Sequence, residues 1–97
     1  MNRENKLSII LKEKLTIYSS ECRMKLEGTS FLLSFSGGID SSIMASLMVE
    51  LRNKYNFKIG FAHINHHAHS KAYNAESFCF QYSHVNNVAF HLKELFF

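Results

Sequence analysis

The run Phe31-Leu32-Leu33-Ser34-Phe35-Ser36-Gly37-Gly38-Ile39-Asp40-Ser41-Ser42 decides the fold. Its first five positions are almost entirely apolar and lie between glycine-containing segments. That pattern predicts a short strand buried on both faces, the habit of parallel sheets. Ser36-Gly37-Gly38 then turns the chain. Beyond it Ile43, Leu47 and Leu51, flanked by Met44 and Met48, recur at helical spacing and predict a helix that fades near Asn53–Asn56. A strand feeding a helix through a glycine turn opens a βαβ unit.

Working outward, Leu7, Leu11, Leu15, Tyr18 and Cys22 form one helical stripe, predicting an N-terminal helix over about residues 4–26 that Gly28-Thr29-Ser30 breaks. Downstream, residues 58–64 read as a second strand and the polar, His-rich stretch 65–71 as a loop. Ala75, Phe78, Cys79, Tyr82 and Val85 mark a third helix, Asn86-Asn87 a break, and residues 88–92 a third strand. The order α-β-α-β-α-β predicts an α/β, Rossmann-like domain with right-handed crossovers between parallel strands. Doubly wound sheets usually have five or six strands, and about three are expected here. Residues 1–97 are therefore expected to be a single, truncated domain: part of a doubly wound sheet, with an open edge along which a second copy or a partner chain pairs.

Composition narrows the class. The 97 residues are 46% hydrophobic and 20% charged, enough for a packed core and against disorder. The net charge of +3 is spread along the chain, so charge alone does not imply nucleic acid. Two cysteines, no apolar leader and no membrane-length apolar run predict a reduced, cytoplasmic protein without a membrane partner.

The chemistry is expected at residues 36–42. The first turn of a helix carries N–H groups with no intrahelical acceptor, at the positive end of the macrodipole. Two glycines let backbone approach a ligand closely, and Ser36, Ser41 and Ser42 add hydroxyls. Such a cup at the carboxyl edge of a parallel strand suits a phosphate or pyrophosphate. Spacing excludes three better-known loops: no lysine lies between Lys25 and Lys54 for a Walker A loop, the adjacent glycines miss Gly-x-Gly-x-x-Gly, and Ser34 stands where a hydrolase elbow needs glycine. The bland alternative is an ordinary Ser-Gly-Gly turn with an Asp or Ser helix cap.

Ser36-Gly37-Gly38-x-Asp40-Ser41 after an apolar strand resembles the pyrophosphate loop of the N-type ATP pyrophosphatase (PP-loop) superfamily, of adenine nucleotide alpha hydrolase-like fold. Within it, Phe61-Ala62-His63-Ile64-Asn65-His66, then Ser70, then Glu76-Ser77-Phe78-Cys79 is similar to the N-terminal part of tRNA(Ile)-lysidine synthases. The likeness runs from about Phe31 to Leu92. It departs at His67-Ala68-His69, where that family continues Gly-Leu-Arg, and the family's later His- and Asp-containing motif has no counterpart.

The resemblance implies an ATP-dependent adenylating ligase. Ser36, Gly37, Gly38, Ile39, Asp40, Ser41 and Ser42 would hold the phosphates of ATP, and Asp40 would help organise Mg²⁺. Ala62, His63 and Ile64 would lie against the adenine, with Asp40 and His63 the candidate catalytic residues. The acceptor would be the wobble cytidine of tRNA(Ile), with free lysine displacing AMP. The alternatives are another PP-loop enzyme, such as a tRNA thiolase or an amidotransferase-type synthetase, and a non-catalytic nucleotide-binding module.

Three further features have plainer expectations. His63, His66, His67 and His69 could ligate zinc, but no nearby cysteine or carboxylate pair and no usual zinc spacing supports it. Cys79 falls on the apolar stripe of the third helix and reads as core; Cys22, on the stripe of the first, is not expected to be a nucleophile. The lysines of the first helix read as a solvated face.

Overall fold

The structure, a computed structural model, describes residues 6–65 and 72–94. The elements run α1 (Lys6–Glu21), a 3₁₀ turn (Leu26–Gly28), β1 (Ser30–Ser34), α2 (Ile39–Tyr55), β2 (Lys58–Asn65), α3 (Ala72–Val85) and β3 (Ala89–Glu94). The three strands form one parallel sheet in the order β1-β2-β3, with Phe31 opposite Ile59, Leu33 opposite Phe61, and Phe61 opposite Phe90. This is the expected α/β arrangement.

Without proline, the helices stop on left-handed residues. Asn56 (φ 61°) ends α2 and donates its N–H to the Arg52 carbonyl at 2.8 Å; Asn87 (φ 55°) ends α3, with Val88 N–H on the Ser83 carbonyl at 2.8 Å. Asparagine tolerates this conformation better than most side chains. Arg23 (φ 59°) plays the same part for α1, with Met24 N–H on the Ser19 carbonyl at 2.9 Å. The first helix therefore stops at Glu21, well before residue 26 and before the glycine expected to break it.

Sequential strand order fixes where the helices go. Right-handed crossovers from β1 to β2 and from β2 to β3 place α2 and α3 on the same side of the sheet. Burial follows: Ile59, Phe61 and His63 on one face of β2 are buried, whereas Leu32 (67% exposed) and Ile64 (48% exposed) lie on the other. The expectation that β1 is buried on both faces is thus corrected. Its apolar run reflects one covered face, plus a second face that these helices do not reach.

Two helix stripes also rotate. In α1 the buried positions are Ser8, Leu15 and Ser19, while Leu7, Tyr18 and Cys22 are exposed. In α3, Cys79 and Ser83 are buried and Val85 is 79% exposed. Small polar residues supply these close contacts: Thr29 Oγ1 lies 2.9 Å from Ser19 Oγ, and Ser83 Oγ donates to the Cys79 carbonyl at 2.7 Å. A hydrophobicity pattern passes over such serines. On α2, Ala45, Leu47, Met48, Val49 and Leu51 are buried, and Ile43 and Met44 are exposed.

The centre of the core is Phe35, which follows β1 directly and is wholly buried. Its ring meets Phe61, Phe78 and Tyr82 edge-on, with centroids 5.0, 6.0 and 5.6 Å away. Phe35→Ala is expected to cost about 3–5 kcal/mol or to abolish cooperative unfolding. Leu32→Gln, on the open face, should change stability by less than about 0.5 kcal/mol. Urea denaturation of the pair checks the assignment of faces; comparable losses would contradict it.

Candidate functional site

The chain leaves the sheet at Phe35, whose N–H still bonds the Ala62 carbonyl at 2.7 Å. Gly37 then adopts φ +89°. A Cβ built there would lie 3.3 Å from both Ala75 Cβ and Cys79 Sγ, and 3.4 Å from the Ala75 carbonyl oxygen. Glycine is thus required twice, by the dihedral angle and by the close approach of α3. Gly38 is the N-cap of α2, in extended conformation and with no side-chain cap hydrogen bond. An ordinary Asp or Ser cap would have supplied one. The N–H groups of Ile39, Asp40 and Ser41 precede the first intrahelical bond, Ser42 N–H to the Gly38 carbonyl at 3.0 Å, and have no helical acceptor.

The loop's hydroxyls bond to each other and to its first amides. Ser36 Oγ and Ser41 Oγ are 2.9 Å apart, Gly37 N–H donates to Ser41 Oγ at 3.2 Å, Gly38 N–H to Ser36 Oγ at 3.3 Å, and Ser41 Oγ to the Gly38 carbonyl at 3.2 Å. Donor distances of 3.2–3.3 Å from N–H are longer than the usual 2.9–3.0 Å. Asp40 is exposed in the first turn of α2, where its negative charge complements the helix dipole.

From this loop a groove of about 530 Å³ runs along α2, lined by Gly37, Gly38, Ile39, Ser42, Ile43 and, further on, Glu50, a size typical of small-molecule sites. Ser36 and Ser41 stand at its loop end through the bonds above. Ala62, His63 and Ile64 do not line it. They alternate across the end of β2, so Ala62 and Ile64 lie toward the open face while His63, 4% exposed, enters the core. There His63 Nδ1 is 2.8 Å from the Phe35 carbonyl oxygen.

Two further side chains, quoted in the motif but given no site role there, contribute. Cys79 Sγ donates to the same carbonyl at 3.5 Å, and burial raises its pKa to about 11, so the thiol stays protonated at neutral pH. Asn65, buried at the end of β2, donates from Nδ2 to Glu76 Oε1 at 2.9 Å and ties the strand to α3. The spacing of Glu76 and Cys79 was the only signal of either role. Among the described residues no group of three His, Cys, Asp or Glu converges; His66, His67, His69 and Ser70 lie outside them.

Comparison with known proteins places the chain in a family. The family model described as the PP-loop domain matches residues 7–95. A tRNA(Ile)-lysidine synthase of Buchnera aphidicola from Acyrthosiphon pisum is 31% identical over 62 residues, covering 64% of this chain and 14% of the relative. That of Buchnera aphidicola from Schizaphis graminum is 33% identical over 66 residues, 67% of this chain and 15% of the relative. That of Pseudothermotoga lettingae is 36% identical over 55 residues, 57% and 12% respectively. The chain thus aligns with only 12–15% of the length of these relatives.

Gly37→Ala is expected to cost about 1–3 kcal/mol, since it combines a left-handed dihedral with contact against α3; an unchanged urea midpoint would contradict the turn geometry. A thiol reagent at neutral pH should modify the exposed Cys22 quickly and Cys79 only at the rate of unfolding. Equal rates would show that α3 does not cover the loop.

Proposed function

This chain belongs to the PP-loop domain family, whose members use ATP, and on that premise we propose that it is the ATP-holding part of an adenylating ligase of the tRNA(Ile)-lysidine synthase kind. The observation that carries this is a helix N-terminus capped by glycine alone, at the carboxyl end of a parallel strand, within a stretch that the family model matches.

In this proposal the N–H groups of Ile39, Asp40 and Ser41 and the hydroxyls of Ser36, Ser41 and Ser42 take the phosphates, while Gly37 and Gly38 let the main chain come close. Ala62 and Ile64 border the adenine. Attack at the α-phosphorus by the C2 oxygen of a wobble cytidine breaks the α–β bond and releases pyrophosphate; the amino group of lysine then replaces AMP. The loop's dipoles are pre-aligned on the leaving charge, which is where electrostatic catalysis gains most. Mg²⁺ takes one or two carboxylates with phosphate and water oxygens, so the single exposed Asp40 fits it and would be its protein ligand. When bound, the ion neutralises charge on the departing pyrophosphate.

We also assign the chain a cytoplasmic setting and a second copy along the sheet edge, where β1 and β3 have no further strand beside them among the described residues. No helix among the described residues is long and apolar enough to cross a membrane. Sedimentation as a monomer at tens of micromolar would remove the second copy.

Calorimetric titration should show Mg²⁺-ATP binding that Asp40→Asn weakens about tenfold, with Mg²⁺-free ATP little affected. Pyrophosphate release should require tRNA with a wobble cytidine, and release of AMP should require lysine as well. Release with a different acceptor would redirect the assignment to another PP-loop enzyme. ATP binding with no pyrophosphate under any acceptor would leave a nucleotide-binding module.

A further inference from the structure

Two elements converge on one backbone atom, the carbonyl oxygen of Phe35. From β2, His63 Nδ1 approaches it at 2.8 Å; from α3, Cys79 Sγ at 3.5 Å. Both side chains are buried. A carbonyl can only accept, so the His63 proton resides on Nδ1, and the neutral thiol supplies the second, weaker donor. On the other side of the same residue, Phe35 N–H is held by the Ala62 carbonyl. A site that needed only apolar volume would have no use for two polar atoms aimed at one acceptor.

The consequence lies one bond further on. The peptide linking Phe35 to Ser36 is planar and trans, so its C=O and N–H point in opposite directions. Drawing the Phe35 carbonyl into the core turns the Ser36 N–H away from it, at the residue that opens the phosphate loop. Gly37 then rests on Cys79 and Ala75, and Glu76, one turn before Cys79, is tied to Asn65 at the end of β2.

We propose that His63 and Cys79 are positioning residues for the phosphate loop, acting through the Phe35 carbonyl and touching no part of the nucleotide. This rests on the ATP reading above for its ligand, but not for its geometry. It gives His63 a role other than the adenine contact and catalysis expected from the sequence.

Three measurements on the same chain separate the outcomes: urea unfolding, Mg²⁺-ATP titration, and amide hydrogen exchange by NMR at Gly37 and Gly38, the loop amides that are hydrogen-bonded. His63→Leu should fold, bind ATP about tenfold more weakly and exchange faster at the loop amides. His63→Asn, which keeps an N–H near the Nδ1 position, should return both readouts to within about threefold of the parent chain. Cys79→Ala should weaken binding about threefold and Cys79→Ser restore it; this pair decides the matter if His63→Leu does not fold. A folded His63→Leu chain with unaltered ATP affinity and exchange overturns the proposal, and so does His63→Asn being as impaired as His63→Leu. Should the parent chain bind no ATP, the nucleotide reading fails separately. Loop exchange that rises in His63→Leu and falls back in His63→Asn still establishes the positioning role, and unchanged exchange ends it.

Discussion

The two ends of one residue, Phe35, carry the rest of the structure. Its ring is the centre of the aromatic core, in contact with β2 and α3. Its carbonyl, taken by His63 and Cys79, fixes the plane from which the Ser36–Gly38 turn departs. Core packing and loop geometry are therefore not separable here. A buried acceptor left without its donors is costly, so the loop's starting direction is enforced by the same desolvation that makes the core.

What the turn presents is a set of donors with weak or no internal partners. Gly38 stands at the N-cap of α2 without a side-chain cap hydrogen bond, at a cost of about a few tenths of a kcal/mol relative to a Ser or Asp cap. Ser36 and Ser41 bond each other and accept from the N–H groups of Gly38 and Gly37, which holds the turn together.

Strand order has its own consequence. Because β1, β2 and β3 follow one another across the sheet, both crossover helices share a face, and Leu32 and Ile64 are left on the other. The chain aligns with a small fraction of its relatives' length. In the apolar run 31–35 the described elements cover the face of Phe31, Leu33 and Phe35 and leave Leu32 exposed.

By itself the sequence determined the local elements and the nature of the loop. Alternation of short apolar runs with helical periodicity gives α/β order; Asn56 and Asn87 mark helix ends through their tolerance of left-handed backbone; adjacent glycines between strand and helix mark a turn that a ligand can approach. These are properties of neighbouring residues, set by dihedral preference and period. Only the tertiary structure decided which face of each element is buried, because that depends on what packs against it: Ser8, Ser19 and Ser83 are buried where a hydrophobicity pattern places Leu7, Tyr18 and Val85. It also separated His63 from Ala62 and Ile64. Strand alternation sends adjacent side chains to opposite faces, and which face holds α2 and α3 follows from the handedness of the crossovers. That handedness is how a histidine read as a ligand contact comes to lie in the core, bonded to the backbone of Phe35.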